Sequence, residues 1–324
     1  MDIALLRARL DEIPRTRLAT LPTPLRPLPR LRAALGPEAP DILVKLDEET
    51  GFGLGGNKVR KLEYVLAPER IGQATHLVTT GGAQSNHCRV TAAAAARLGL
   101  GCILVVNGPL PDPPTGNALL HRLLGAHIRP VDDRDGREPA MRAAAEEIAA
   151  AGGQACLVTL GASTPPGALG YVRAALELHD QLRPETDRAV QIVVGSSSGG
   201  TLAGLWAGLA LLPRPDLSVL AVSADTPSQA LLTQARTLAR ELSQQGGPRG
   251  LEDTELIALV AYLQRLGMDI KGQKVASRPA GQRSAPTTPA RTPGATPPRS
   301  AALGKTLPHG ALSSRRPTAE ARKD

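Results

Sequence analysis

Aromatic side chains are almost absent from this chain: they make up 2% of its 324 residues and comprise Phe52, Tyr64, Tyr171, Trp206 and Tyr262. Stacking platforms for single-stranded nucleic acid need several such rings close together, so that class of function is not expected. Cysteine is scarce as well. Cys88, Cys102 and Cys156 are odd in number, far apart and without CxxC spacing. They offer neither a disulfide framework nor a zinc pattern, and a reducing, cytoplasmic compartment is the expectation. No apolar run approaches the ~18 residues of a membrane span, and the first twenty residues hold no continuous apolar stretch, so neither a membrane protein nor a secretory leader is expected. Acidic residues are nearly missing from the end of the chain. Residues 271–324 hold 11 of the 38 Lys and Arg but only 2 of the 30 Asp and Glu. The net charge of +8 therefore belongs to that segment, and the near-neutral body gives no argument for a nucleic-acid partner.

What is present is an alternation. Residues 1–40 open with proline-rich loop signals, LPTPLRPLP, followed by a strand-like DILVKLD over 41–47. Short Val-, Ile- and Leu-rich runs then alternate with longer Ala- and Leu-rich periodic stretches. The strand candidates are 76–80, 102–106, 155–160, 190–195 and 217–223. The helix candidates are about 57–68, 84–99, 115–125, 137–152, 168–182, 200–211 and 227–244. Strands alternating with helices of ten or more residues predict βαβ units and a parallel sheet. The near-continuous apolar strands predict sheets covered on both faces. Ligands of such α/β folds sit beyond the carboxyl ends of the strands, so chemistry is sought at strand-to-helix turns.

Four turns stand out. In GFGLGGNKVRKLEYV (51–65) a glycine loop lets backbone approach a ligand, Asn57 can cap a helix, and Lys58 and Lys61 share one helix face. A lysine at a helix start beside a second cation has its ammonium form disfavoured, which is how an amine is prepared for imine chemistry; the same string also serves as a plain loop before a solvated basic helix. In TTGGAQSNHCR (79–89), Ser85 and Asn86 stand at a helix start whose N–H groups suit a carboxylate or a ring oxygen, or act as caps alone. VVGSSSGGTLAG (193–204) reads as an anion cup suited to phosphate. It is not a Walker A loop, because Thr201 stands where lysine should follow Gly200. It spells GxSxG around Ser197, but the only histidine after it is His309, in a segment expected to be unstructured, so a serine hydrolase is not expected. GASTPPGALGYV (161–172) is a fourth Gly-rich strand end, equally readable as a geometric loop.

Together these loops ask for one ligand with a phosphate, a group that takes an amine, and an amino-acid carboxylate; pyridoxal phosphate (PLP) meets all three. The run LPTPL, GGNKVRKLE, TTGGAQSNHCR, GASTPPGALGY, GSSSGGTLAG resembles the D-cysteine desulfhydrase and 1-aminocyclopropane-1-carboxylate deaminase family, PLP enzymes of the tryptophan synthase β-subunit fold, over about residues 15–245. The resemblance implies an α/β, fold-type-II architecture of two subdomains with parallel sheets, the smaller about 57–170. It implies that Lys58 is the Schiff-base lysine and that Lys61 with Ser197, Ser198, Gly199, Gly200 and Thr201 holds the phosphate. Asn86 would meet the ring hydroxyl, and Ser85, Asn86 and His87 the substrate, with Lys58 and Ser85 as the catalytic pair. QSNH, with His87, looks more like the desulfhydrase branch than the deaminase branch. The implied activity is β-elimination from a small D-amino acid, giving pyruvate, ammonia and hydrogen sulfide from D-cysteine, with deaminase-like activity as an alternative and a cytoplasmic homodimer as the assembly.

After about residue 245 the family's DPVYTGK-like segment, site tyrosine and TGG-type turn have no matching string. Instead LEDTELIALVAYLQRLGMDIKG (251–272) resembles the C-terminal end of the mono-haem subunit of a bacterial terminal cytochrome c oxidase, without a CxxCH for haem attachment; it also reads as a plain amphipathic helix. The expected division is 1–246 as an incomplete PLP-dependent lyase region, 247–272 as the oxidase-like helix and 273–324 as a disordered basic tail. Eight prolines and no aromatic residue in 271–324 leave too little apolar surface to offset ordering entropy. A fusion or frameshifted gene product is the reading of that composition, and a PLP-binding remnant without turnover is the alternative to an active lyase.

Overall fold

The computed structural model describes residues 2–182, 189–223 and 227–244. The expected helix at 247–272 and tail at 273–324 lie outside these residues. The elements are α1 Ile3–Glu12, β1 Leu25–Pro27, α2 Pro29–Leu35, β2 Leu43–Lys45, α3 Asn57–Val65, α4 Pro68–Ile71, β3 His76–Gly82, α5 Asn86–Leu98 and β4 Gly101–Asn107. They continue with α6 Gly116–Leu123, β5 His127–Val131, α7 Arg137–Ala150, β6 Ala155–Leu157, α8 Pro165–Gln181, β7 Val190–Ser196, α9 Gly200–Leu211, β8 Leu217–Ser223 and α10 Ser228–Gln244. The expected α/β alternation is present.

One sheet has the order β5-β4-β3-β6 with every pair parallel. Its residues alternate between two cores, as the period of two requires. Leu77, Leu104 and Val106 pack with Val59 and Leu62 of α3 and Val90 of α5, while Val78 and Val105 pack with Met141, Ala144 and Ile148 of α7. Helices on both faces explain why β3 and β4 read as unbroken apolar runs. Among the described residues β5 pairs with β4 alone, and Pro130 is tolerated at such an edge position.

The second sheet differs from expectation. β7 and β8 pair in parallel, and Ile192, Val194, Val219 and Ala221 face a core built from α1, α8, α9 and α10. Among the described residues the packed helices lie on that one face, and Val193 is 63% and Val222 53% exposed on the other. α8 and α9 approach closely, because a Cβ on Gly204 would fall 2.2 Å from the Ala168 carbonyl oxygen.

The N-terminal forty residues are more ordered than their prolines suggested. Asp2 caps α1 by accepting from the Ala4 N–H at 2.9 Å, and Leu6 and Leu10 bury one face of the helix. β1 pairs antiparallel with β2.

A charged cluster ties this segment to α3. Arg60, whose side chain is fully buried, donates to Asp47 at 2.9 Å, to both Glu177 oxygens at 2.9 and 3.0 Å and to Thr23 at 2.9 Å. Tyr171 bonds the other Asp47 oxygen. Burial disfavours the Arg60 cation, but the Glu177 hydrogen bonds and the Asp47 and Glu177 charges outweigh it and raise its pKa. Truncating one member of a buried ion pair leaves the other uncompensated, so Arg60→Ala should cost about 3–5 kcal/mol of stability. The shift in urea midpoint at unchanged slope measures it.

Candidate active site

Three strand-to-helix turns, after β3, β6 and β7, and the start of α3 converge on one cleft of about 720 Å³. Lys58, Ser85, Asn86, His87, Ser197 and Ser198 all line it, which gathers sequence-predicted residues from positions 58 to 198 in one place.

The glycine loop enters α3 with positive φ at Gly51, Gly53, Gly55 and Gly56, and Gly56, not Asn57, is the N-cap. Asn57 is instead the first helical residue. Its Nδ2 donates to Thr201 Oγ1 at 3.2 Å and its Oδ1 accepts from Lys58 Nζ at 3.1 Å. Burial lowers the Lys58 pKa. The expected causes, a helix start and a second cation, do not account for it; the second cation acts instead on Lys61. Lys61 has 0% exposure, and its pKa is pushed well down by burial first and then by the charge of Lys58.

Lys61 Nζ donates to Ser163 Oγ at 2.8 Å, and Ser163 Oγ lies 2.6 Å from Ser198 Oγ. Gly199, with φ 74°, caps α9, and Gly200 and Thr201 open the helix. A Cβ on Gly200 would lie 2.7 Å from both Lys61 Nζ and Ser163 Oγ, so only a bare backbone fits between the amine and the α9 N-terminus. Among the described residues no carboxylate pairs with Lys58 or Lys61. An ammonium, several hydroxyls and the first N–H groups of a helix form a donor set suited to a doubly charged oxyanion.

Ser163 and Asn57 were not anticipated as members of this cup. Ser163 sits in the fourth Gly-rich turn, whose position after β6 was the available signal. Pro227, just before α10, and Gln234, within it, also line the cleft, and nothing local in their sequence marks them.

On the opposite wall Ser85 caps α5, its Oγ accepting from the Cys88 N–H at 3.2 Å, and Asn86 follows it into the cleft. His87 is 3% exposed and sits within the wall. Its Nε2 lies 2.8 Å from Thr79 Oγ1, whose own proton goes to the Val158 carbonyl at 2.7 Å. The hydroxyl therefore accepts and Nε2 carries the ring proton. Burial, then the charges of Lys58 and Lys61, lower the His87 pKa to about 3, so the ring is neutral at working pH.

With inorganic phosphate as probe, Gly200→Val should weaken binding by roughly tenfold or more, because a branched side chain occupies the anion's place. Ser198→Ala should weaken it only about threefold, since one hydroxyl among several donors is lost. Isothermal titration of the unliganded protein compares the two, and equal losses would argue against a backbone cradle.

A family model described as pyridoxal-phosphate dependent enzyme matches residues 16–264. The chain is 35% identical over 245 residues to a putative 1-aminocyclopropane-1-carboxylate deaminase of Pyrococcus furiosus, covering 75% of this chain and 73% of that protein. It is 39% identical over 230 residues to a D-cysteine desulfhydrase of Salmonella schwarzengrund, covering 69% and 68%. The crystal structure of an ACC deaminase homologue superposes with a TM-score of 0.66 at 35% identity, over 73% of this chain and 71% of that one. With four Gly-rich turns, a buried lysine pair and an anion cup in one cleft, and with this match over most of its length, the chain belongs to the pyridoxal-phosphate dependent enzymes.

Proposed function

We propose that this protein eliminates the β-substituent of a small D-amino acid, in the manner of a D-cysteine desulfhydrase, releasing pyruvate and ammonia together with hydrogen sulfide when the substrate is D-cysteine. The observation that carries the reading is the division of labour between two lysines three residues apart on α3. Lys61 is sealed in the anion cup, whereas Lys58 opens to the cleft. The cup fits the cofactor's phosphate: a buried amine bonded only to a hydroxyl, at a helix start where a Cβ would not fit, is unbalanced until an anion arrives. Lys61, Ser198, Gly199, Gly200 and Thr201, with Ser163 added, would hold that phosphate, Ser197 would line its approach, and Asn86 would face the ring oxygen.

When bound, the cofactor supplies an electron sink for negative charge developing at Cα. The chain's own groups do the rest. Lys58 Nζ, its ammonium form disfavoured by burial, is the base that removes the Cα proton. Ser85 and the first N–H groups of α5 receive the substrate carboxylate. His87, neutral and held by Thr79, forms a fixed wall beside the substrate and does not shuttle protons. Resemblance to the 39%-identical desulfhydrase and the QSNH string favour D-cysteine over a cyclopropane substrate.

A second reading, cofactor binding with little turnover, is favoured by the second sheet. Among the described residues β7 pairs only with β8, and one face of the pair is uncovered at Val193 and Val222. Under that reading 1–246 is the PLP-binding region of the chain.

Two measurements separate these readings. Purified protein with PLP should absorb in the visible, and borohydride should fix the cofactor on Lys58; peptide mapping to Lys61, or to no lysine, would reject the assignment. Lys58→Ala should abolish the band while moving the melting temperature little. A pyruvate assay with D-cysteine decides turnover: a rate of ~1–1000 per second marks an ordinary enzyme, whereas visible absorbance without pyruvate marks the second reading.

A further inference from the structure

Asn86 reaches the cleft from the first turn of α5, but the direction in which its amide faces is set from outside the cleft. Its Oδ1 accepts from Arg89 at 3.0 Å and from Asn117 Nδ2 at 2.8 Å. An amide's oxygen and nitrogen are assigned from their network, and this network ends on groups of unambiguous polarity. A guanidinium only donates. Arg89 NH1 donates to Asn86 and, at 3.1 Å, to Asn117 Oδ1, so both acceptors are oxygens. Asn117 Nδ2 also donates to the Gln84 carbonyl at 2.8 Å, which only accepts. The Asn117 N–H is itself tied to Gln84 Oε1 at 2.8 Å. Arg89 is 8% exposed, and its NH2 donates to the Gly55 carbonyl at 2.6 Å, in the loop that leads to Lys58. With Oδ1 engaged twice, the Asn86 atom left for the cleft is Nδ2, which has no acceptor among the described residues.

We infer that Arg89 and Asn117 are positioning residues that hold Asn86 as an obligate hydrogen-bond donor toward an oxyanion in the cleft. The inference rests on the reading above, in which that oxyanion is the cofactor's ring oxygen. Neither positioning residue lines the cleft; both act through Asn86. Because Arg89 also grips the glycine loop, one side chain sets the donor's direction and ties α5 to the entry of α3. A donor beside an oxyanion favours its ionised form, so loss of the donor raises the pH at which the ring oxygen ionises.

The test is a double-mutant cycle on the full chain, read by PLP affinity and by the pH midpoint of the bound cofactor's visible band. Asn117→Asp places a carboxylate opposite Asn86 Oδ1 and should turn the amide over. PLP affinity should then fall about tenfold, the scale of a charge-assisted hydrogen bond, and the pH midpoint should move upward. Asn117→Ala, which adds no charge, should weaken binding about threefold through a less ordered amide. On an Asn86→Ala background neither substitution should change affinity or midpoint by more than about twofold, well inside the threshold of coupling for residues in contact. Arg89→Lys, which keeps charge but loses the fork, should behave as Asn117→Ala does in both backgrounds. Melting of the unliganded variants reports whether each folds. Effects of equal size with and without the Asn86 side chain would overturn the inference while leaving the functional reading intact. No cofactor uptake by the wild-type chain would overturn both.

Discussion

An amine with no solvent and no carboxylate beside it is the constraint on which the rest of this structure turns. Lys61 lies on a helix that is otherwise well matched in charge: Arg60 has Asp47 and Glu177, and Glu63 receives Arg15 and the N–H groups of Leu18 and Ala19. Among the described residues, of the charged side chains of α3 only Lys58 and Lys61 lack an oppositely charged partner. Burial and mutual repulsion push the pKa of Lys61 down, and an arriving dianion would reverse both effects. Its surroundings follow from that need. Ser163 and Ser198 give the amine neutral partners, α9 adds the positive end of a helix, and Gly200 keeps the approach open.

The two parallel sheets meet this constraint from different directions. The turn after β3 gives Ser85 and Asn86, and the turn after β7 gives Ser197 and Ser198, both at carboxyl ends of strands, where α/β folds place ligands. Few bonds hold the cup together across these elements. Asn57 reaches Thr201, and Ser163 reaches both Lys61 and Ser198. All of these are side-chain contacts, between residues 144, 102 and 35 positions apart for Asn57 with Thr201, Lys61 with Ser163 and Ser163 with Ser198 respectively.

That separation explains what the sequence could and could not convey. Strand and helix order was legible because β3 and β4 are buried on both faces and the helices carry periodic apolar stripes. The turns were legible because close backbone approach demands glycine. α1 was overlooked although Asp2 before Leu6 and Leu10 is a capping and periodicity signal; the prolines that follow it drew attention to loops. β5 was overlooked because Arg129 and Pro130 break its apolar run, which an edge position permits. The open face of β7 and β8 could not be foreseen, since Val193 and Val222 have the same composition whether covered or bare. Ser163 beside Lys61, and Arg89 and Asn117 behind Asn86, depend on tertiary meetings that no local pattern encodes.

Consecutive residues of α3 point to different places. Arg60 is fastened to the acids of Asp47 and Glu177, and Lys61 enters the anion cup. A helix keyed on two sides cannot roll: a turn of one residue, about 100°, that brought Arg60 to the place of Lys61 would carry Lys61 to the place of Leu62, whose side chain packs in the apolar core. That movement would leave Asp47 and Glu177 without their guanidinium and would swing Lys58 to the place of the buried Val59, away from the cleft. The carboxylates, which do not line the cleft, thus act as the index mark that tells α3 which of its three cations faces which partner.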